Sequence, residues 1–228
     1  LERKAVVAAG RRVDGRLRLL SLELDEDVDL ALSDLAPGQE GWSAYLAGVV
    51  WALREAGHDV GGATLVLTSD VPLGAGLSSS AAIECAVVAA YCDLYGLGIA
   101  PIDRAKLARV AENAYVGAPT GLLDQAASTL CQAEAGLFLD CRSLETELVP
   151  LPMAEQGYEM LVLDTKTPHS HVDGEYGTRR ATCEEAARLL GVPALRDVTD
   201  LDFVTRRSLA DGHLKGYDTL VLGTGGQP

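Results

Sequence analysis

Residues 72–82 read Pro-Leu-Gly-Ala-Gly-Leu-Ser-Ser-Ser-Ala-Ala. The run before it, Ala63-Thr-Leu-Val-Leu-Thr-Ser69, is β-forming, and an unbroken series of helix formers follows. Gly74 and Gly76 let backbone approach a ligand closely, and Ser78, Ser79 and Ser80 offer caps to a helix that starts on the alanines. A helix N-terminus presents unpaired N–H groups and the positive end of a dipole, so strand, glycine-rich loop and helix in that order form a phosphate cradle. On the residues alone, a capped turn with no ligand is an equal reading. No Lys-Ser/Thr follows the glycines, and no third glycine completes a dinucleotide fingerprint, so a phosphate bound here is held in another way.

The chain has 228 residues, enough for one large domain or two small ones. Its 48% hydrophobic and 23% charged residues describe a globular protein with a buried core. With 33 acidic and 19 basic residues the net charge is -14, which argues against nucleic acid and anionic membranes as partners. A nucleotide would need a local cradle and a divalent cation. Cys85, Cys92, Cys131, Cys141 and Cys183 lack C-x-x-C spacing and are expected as reduced, mostly buried thiols of a cytoplasmic protein, with no metal assigned to them. No apolar run is long enough to span a bilayer. Leu1 opens without signal-peptide features, and a chain starting at leucine is expected to be a piece of a longer one.

Outward from the loop, Ala5–Ala9 and Leu17–Leu22 alternate as strands, and Asp14-Gly15 between them predicts a hairpin. Asp25–Asp29 is read as a solvated edge or loop. Trp42, Tyr45, Leu46, Val49, Val50 and Leu53 fall at helical spacing with Gly57 as the stop, and Trp42 reads first as a core residue. Ala81 to Leu94 predicts a long buried helix ended by Gly96 and Gly98. A second helix runs from Pro101 to about Tyr115. Glu112, near its end, opposes the helix dipole, which hints at function unless solvent exposure excuses it. A third helix opens at Gly121-Leu-Leu-Asp124-Gln125, where an N-terminal acid is the ordinary reading of Asp124.

Residues 136–141, 147–151 and 158–164 predict three short strands, broken by Pro150, Pro152 and Gly157, where a domain boundary is placed. His169 and His171 have no third ligand at metal spacing and read as solvent-facing or substrate-adjacent. Another helix runs through Cys183 to Leu190 and stops at Gly191, with Arg179 and Arg180 as surface or interdomain residues. Gly223-Thr-Gly-Gly226, at the end of the chain, lacks a flanking apolar strand and is not taken as a binding motif.

The motif at Pro72–Ala82 resembles the central ATP-binding motif of the GHMP small-molecule kinases, and its Leu-Ser-Ser-Ser form resembles the galactokinase branch. Trp42-x-x-Tyr45-x-x-Gly48-Val49 is similar to the galactokinase helix whose tryptophan lies near the nucleotide base. Ala111-Glu-Asn-x-x-Val-Gly-Ala-Pro-Thr-Gly-x-x-Asp124-Gln125 is similar to the segment carrying the magnesium-binding glutamate and the catalytic aspartate. Glu175-Tyr-x-x-Arg-Arg-x-x-Cys-Glu184 resembles the segment whose tyrosine contacts the sugar. The likeness extends from Leu1 to about Val198 and then fades. The family's first motif, with its sugar-binding acids, is absent, so an N-terminally truncated chain is expected, with its own activity left open.

The resemblance implies an α+β, two-domain GHMP-kinase-like fold. Residues 1–156 would form a ribosomal S5 domain 2-like ATP-binding domain and residues 157–228 an incomplete ferredoxin-like one. It implies transfer of the ATP γ-phosphoryl group to the C1 hydroxyl of galactose. Pro72, Gly74, Ala75, Gly76, Leu77, Ser78, Ser79, Ser80 and Trp42 would bind ATP, and Ser80 and Glu112 would hold Mg2+. Asp124 would be the catalytic acid/base, contacting the sugar together with Gly121 and Tyr176. A cytoplasmic monomer with no nucleic-acid or membrane partner is expected. The alternatives are another GHMP sugar or alcohol kinase, or a non-catalytic sensor that binds ATP and galactose.

Overall fold

The alternating apolar residues of the N-terminal region form β1 (Ala5–Arg12) and β2 (Arg16–Ser21), followed by β3 (Glu26–Ala31). The computed structural model describes residues 3–72, 74–163 and 175–199, the side chains of 175 and 176 excepted. The chain divides into two units, residues 1–172 and 173–228. In the first unit, α1 (Trp42–Glu55), β4 (Gly62–Ser69) and α2 (Ser79–Tyr95) follow the opening strands. Then come α3 (Pro101–Val110), a π-helical segment (Ala111–Val116), α4 (Leu123–Leu130), and the two-stranded sheet of β5 (Ala135–Leu139) and β6 (Thr146–Pro150).

The four-stranded sheet has the order β1-β4-β2-β3. β4 runs antiparallel to β1 and parallel to β2. The hairpin predicted between β1 and β2 is therefore not formed: Asp14-Gly15 turns the chain, but β4 is inserted between the two strands. Geometry at the turn shows how this is possible. Gly62, the first residue of β4, pairs with Arg12, and a Cβ on it would stand 2.3 Å from the carbonyl oxygen of Arg16. The inserted strand enters the narrow end between β1 and β2 only because its first residue has no side chain. Nothing in the short-range signal of an Asp-Gly turn reports a third strand arriving from fifty residues away.

One face of the sheet is apolar. Leu17 and Leu19 of β2 and Leu65 and Leu67 of β4 are buried against Leu46, Val49, Val50 and Leu53 of α1 and Val87, Val88 and Tyr91 of α2. Each such side chain contributes about 1.5–3 kcal/mol on leaving water. β3, at the sheet edge, pairs its acids with the outward arginines of β2, Asp29 with Arg16 and Asp27 with Arg18. The acidic run is thus a solvated edge strand. α2 ends at Gly96 in the left-handed conformation, with Leu97 N–H bonded to Cys92 O at 2.8 Å. The core fixes α2, and α2 fixes the loop before it.

Two further expectations change. Residues 158–163 form no strand, and Tyr158, Met160, Leu161 and Leu163 are exposed; an apolar run without a partner strand has no ladder to join. Of the five cysteines only Cys92 is buried, Cys85 is half-buried, and Cys131, Cys141 and Cys183 are exposed because they lie at a helix end, in a turn and on a helix surface. All five are free thiols. Among the described residues no helix is long and apolar enough to cross a membrane.

The second unit contains α5 (Glu175–Leu190), closed by Gly191 at φ +71°, and a 3-10 turn, Leu195–Asp197. Arg180 pairs with Glu184 on the exposed surface of α5. His169, His171 and Gly223–Gly226 lie outside the described residues.

Candidate active site

The loop between β4 and α2 alternates in backbone conformation. Gly74, Gly76 and Ser78 have φ of +70°, +69° and +57°, while Ala75 and Leu77 between them do not enter that region. Alternation of this kind turns successive N–H groups toward one side and makes a concavity suited to an anion. Among the described residues, none of the N–H groups of 74–78 donates to another group of the chain. Ser78 is the only one of the three with a side chain, and the left-handed conformation costs a non-glycine residue about 1–2 kcal/mol. Pro72, Gly74 and Gly76 are exposed, and Ala75, Leu77, Ser78, Ser79 and Ser80 are half-buried.

The serine cap is not formed. Ser78 is the N-cap of α2 without a side-chain hydrogen bond to the helix, because its left-handed backbone is not the extended one that aims a cap. Ser80, the second residue of α2, uses its hydroxyl elsewhere. Its Oγ donates to Glu112 Oε1 at 2.7 Å, across 32 residues of sequence.

Glu112 sits in the π-helical segment that continues α3, a wider turn than the α-helix expected there. It is 3% exposed, so exposure does not excuse a carboxylate at that end of a helix. The segment stops at Gly117, φ +87°, and Ala118 N–H bonds to the Glu112 carbonyl at 3.0 Å. Asn113 then clamps the returning loop: Thr120 N–H donates to Asn113 Oδ1 at 2.7 Å and Asn113 Nδ2 donates to Thr120 O at 3.2 Å. That clamp places Thr120 Oγ1 to donate to Glu112 Oε2 at 2.7 Å. Gln125, fully buried in α4, donates from Nε2 to the same oxygen at 2.5 Å.

Among the described residues, the Glu112 carboxylate thus accepts three hydrogen bonds, all from neutral donors. Ser80 on one side and Thr120 and Gln125 on the other fix its plane, and room for one more acceptor contact remains on Oε1 beside Ser80 Oγ. A buried carboxylate whose every donor is neutral, next to a hydroxyl, is an oxygen-only set that suits a hard divalent cation. Gln125 also reaches the fully buried Glu84 of α2, its Nε2 donating to Oε2 at 3.4 Å. Burial first, and then the charge of Glu112, pushes the Glu84 carboxyl well above the usual carboxylate range. The Cys85 thiol, pushed up to about 11 chiefly by burial, donates to Gln125 O at 3.6 Å.

Asp124 is the residue before Gln125, exposed in the first turn of α4. The structure therefore ties Asp124 to Glu112 through one buried neighbour, and Glu112 to the loop through Ser80. Gly121 is exposed, and a Cβ there would meet nothing within 4 Å. Trp42 is half-buried at the start of α1 and donates from Nε1 to Glu26 Oε2 at 2.6 Å. Tyr176 belongs to α5 in the second unit, and its side chain lies outside the described residues. Sequence reasoning missed Glu84, Asn113, Thr120 and Gln125 as parts of the site. The available signal was Glu84 itself, a single acid in the apolar run 81–90.

Comparison with known proteins adds the following. Residues 44–132 match the GHMP kinases N terminal domain. The chain is 53% identical over 211 residues to a galactokinase of Streptomyces coelicolor, covering 91% of this chain and 54% of that protein. It is 42% identical over 212 residues to a galactokinase of Mycobacterium tuberculosis, covering 92% of this chain and 58% of that one. The chain spans about half the length of these relatives. The crystal structure of Lactococcus lactis galactokinase complexed with galactose superposes with a TM-score of 0.77 at 24% identity, over 90% of this chain and 58% of that one. At that identity the likeness establishes a shared fold.

Proposed function

We propose that the chain is a GHMP kinase related to the bacterial galactokinases, and that it serves to transfer the γ-phosphoryl group of ATP to the C1 hydroxyl of galactose. The observation that carries the proposal is the hydrogen bond from Ser80 to Glu112, which joins a loop whose N–H groups have no acceptor among the described residues to a buried carboxylate whose donors among those residues are all neutral. Residues 1–156 are read as the ATP-binding domain and residues 157–228 as part of a second one.

The loop N–H groups of Gly74 to Ser78, with the first turn of α2, receive the phosphates; the flanking residues Pro72, Ser79 and Ser80 complete the cradle. Ser80 and Glu112 would hold Mg2+, the remaining ligands being phosphate oxygens and water. When bound, that ion neutralises charge on the transferring phosphoryl group. Trp42, at the start of α1, is assigned to the nucleotide base. Asp124, exposed on α4, accepts or orients the proton of the sugar hydroxyl, with Gly121 as a further sugar contact. Such a transfer asks for positioning and preset electrostatics rather than covalent chemistry. The rigidity of the site follows from its construction: Asn113 pins Thr120, and Thr120 and Gln125 pin Glu112.

A coupled assay of ADP release with galactose, using protein that carries this sequence, tests the reading. Asp124→Asn keeps ATP affinity within about threefold while lowering kcat by about 10²-fold or more, the range of a positioned general base. Unchanged kcat removes Asp124 from that role.

A further inference from the structure

Glu84 and Gln125 are both 0% exposed and face each other between α2 and α4. Gln125 Nε2 gives one hydrogen to Glu112 Oε2 and the other to Glu84 Oε2. Two atoms are then left over, Glu84 Oε1 and Gln125 Oε1, both buried and without a hydrogen-bond partner among the described residues. Two unsatisfied acceptors in one buried contact are costly, and they cannot satisfy each other unless one of them carries a hydrogen. The two side chains hold the four polar atoms that a cyclic acid–amide pair requires, with one edge of it, Gln125 Nε2 to Glu84 Oε2, already formed at 3.4 Å. In such a ring the amide N–H donates to one acid oxygen and the acid O–H donates to the amide oxygen.

We propose that Glu84 is a neutral carboxylic acid donating its proton to Gln125 Oε1, and that this pair is a positioning device holding Gln125 Nε2 toward the Glu112 carboxylate. One proton satisfies both leftover atoms. It also decides which way the amide faces, since the opposite orientation would set the amide oxygen against Glu112. Burial and the neighbouring carboxylate of Glu112 both disfavour a charge on Glu84. Glu84 makes no contact with substrate in this scheme; it acts through Gln125.

The role assigned to the pair rests on the reading of Glu112 as a cation ligand, whereas the protonation of Glu84 does not, and the two are measured separately. In the first experiment, carbon-13 carboxyl NMR of glutamate-labelled protein at neutral pH shows one protonated glutamate in the wild type, and that resonance is missing from Glu84→Gln. Absence of a protonated glutamate in the wild type, or its persistence in Glu84→Gln, overturns the proposal. The wild-type spectrum alone decides if the variant fails to fold. In the second, the Mg2+ concentration giving half-maximal ATP binding is measured by calorimetry without sugar. Glu84→Leu leaves the amide free to turn and raises that midpoint by about tenfold or more, as loss of a group behind a metal ligand does. Glu84→Gln rebuilds the ring as an amide–amide pair and leaves the midpoint within about threefold of the wild type. If Glu84→Leu lowers the melting temperature but not the Mg2+ affinity, the pair is structural and its positioning role is overturned. If wild-type ATP binding ignores Mg2+, the reading of Glu112 falls together with that role, while the NMR result still stands or falls by itself.

Discussion

Gly62 and Glu84 show how a single position can be fixed by what surrounds it. At Gly62 the obstruction is main chain: an added Cβ would meet the Arg16 carbonyl oxygen at 2.3 Å and its nitrogen at 3.0 Å. Neither atom can move without opening the pairing of β2 with β4. Gly62→Ala is expected to destabilise the protein by about 1–3 kcal/mol, the usual range for overpacking, and thermal unfolding measures it. Gly48→Ala is milder, because the close atoms belong to the Tyr115 side chain, the nearest at 3.1 Å. At Glu84 the constraint is electrostatic. The folded carboxyl keeps its proton above the ordinary value of 4.5, so between that value and the raised one the native state binds more protons than the unfolded state. Stability contributed in this way is fully present below about pH 4.5 and is lost as pH rises. Glu84→Gln has no such loss. Denaturant unfolding at a series of pH values should show Glu84→Gln gaining on the wild type from about pH 4.5 upward; a constant difference would mean that Glu84 titrates alike in both states.

Among the elements, β4 matters most, because it is flanked on both sides and leads directly into the glycine-rich loop proposed to hold phosphate. Native-state hydrogen exchange should find the amides of β4 among the slowest of the sheet and those of β3, at an edge, faster. Fast exchange throughout β4 would contradict the strand order and favour a β1–β2 hairpin. That hairpin is what the sequence led us to expect, and the reason for the error is physical. Strand and turn propensities are local, whereas the insertion of β4 depends on Gly62 meeting a turn that lies far away in sequence. The helices were legible almost to the residue: α2 ends at Gly96 as expected, and α1 stops before Gly57. Their buried faces repeat at helical spacing, and glycine marks their ends. The π-helical turn at Ala111–Val116 left no such mark, and neither did the serine hydroxyl that turns to Glu112 instead of capping α2. Glu112 and Asp124 were singled out by family resemblance, while the buried Gln125, which follows Asp124 in the chain and bonds to Glu112, emerges only when α3 and α4 are packed.

For the molecule as a whole, the proposed site asks an acidic protein to bind an anion. The net charge is -14, and no lysine or arginine stands between Arg54 and Arg104, the stretch that includes the loop and all of α2. Arg3, near the root of the loop, already donates to the Asp70 carbonyl at 3.4 Å. Phosphate binding by N–H dipoles and one cation differs from binding by basic side chains in its response to salt. Lysine–phosphate attraction is screened as ionic strength rises, so a site built on it weakens. Here the long-range field of the protein opposes the nucleotide, and added salt screens repulsion; the short-range N–H contacts are little affected at a Debye length of about 8 Å. The association rate of Mg-ATP should therefore rise as KCl increases from about 0.02 to about 0.15 M, with Kd unchanged or lower, the Debye length shortening over that range. Stopped-flow binding at fixed free Mg2+ measures both quantities. A steep loss of affinity with salt would instead mean that basic side chains from elsewhere in the protein close over the phosphates, and the loop of Gly74 to Ser80 would then be only part of the cradle.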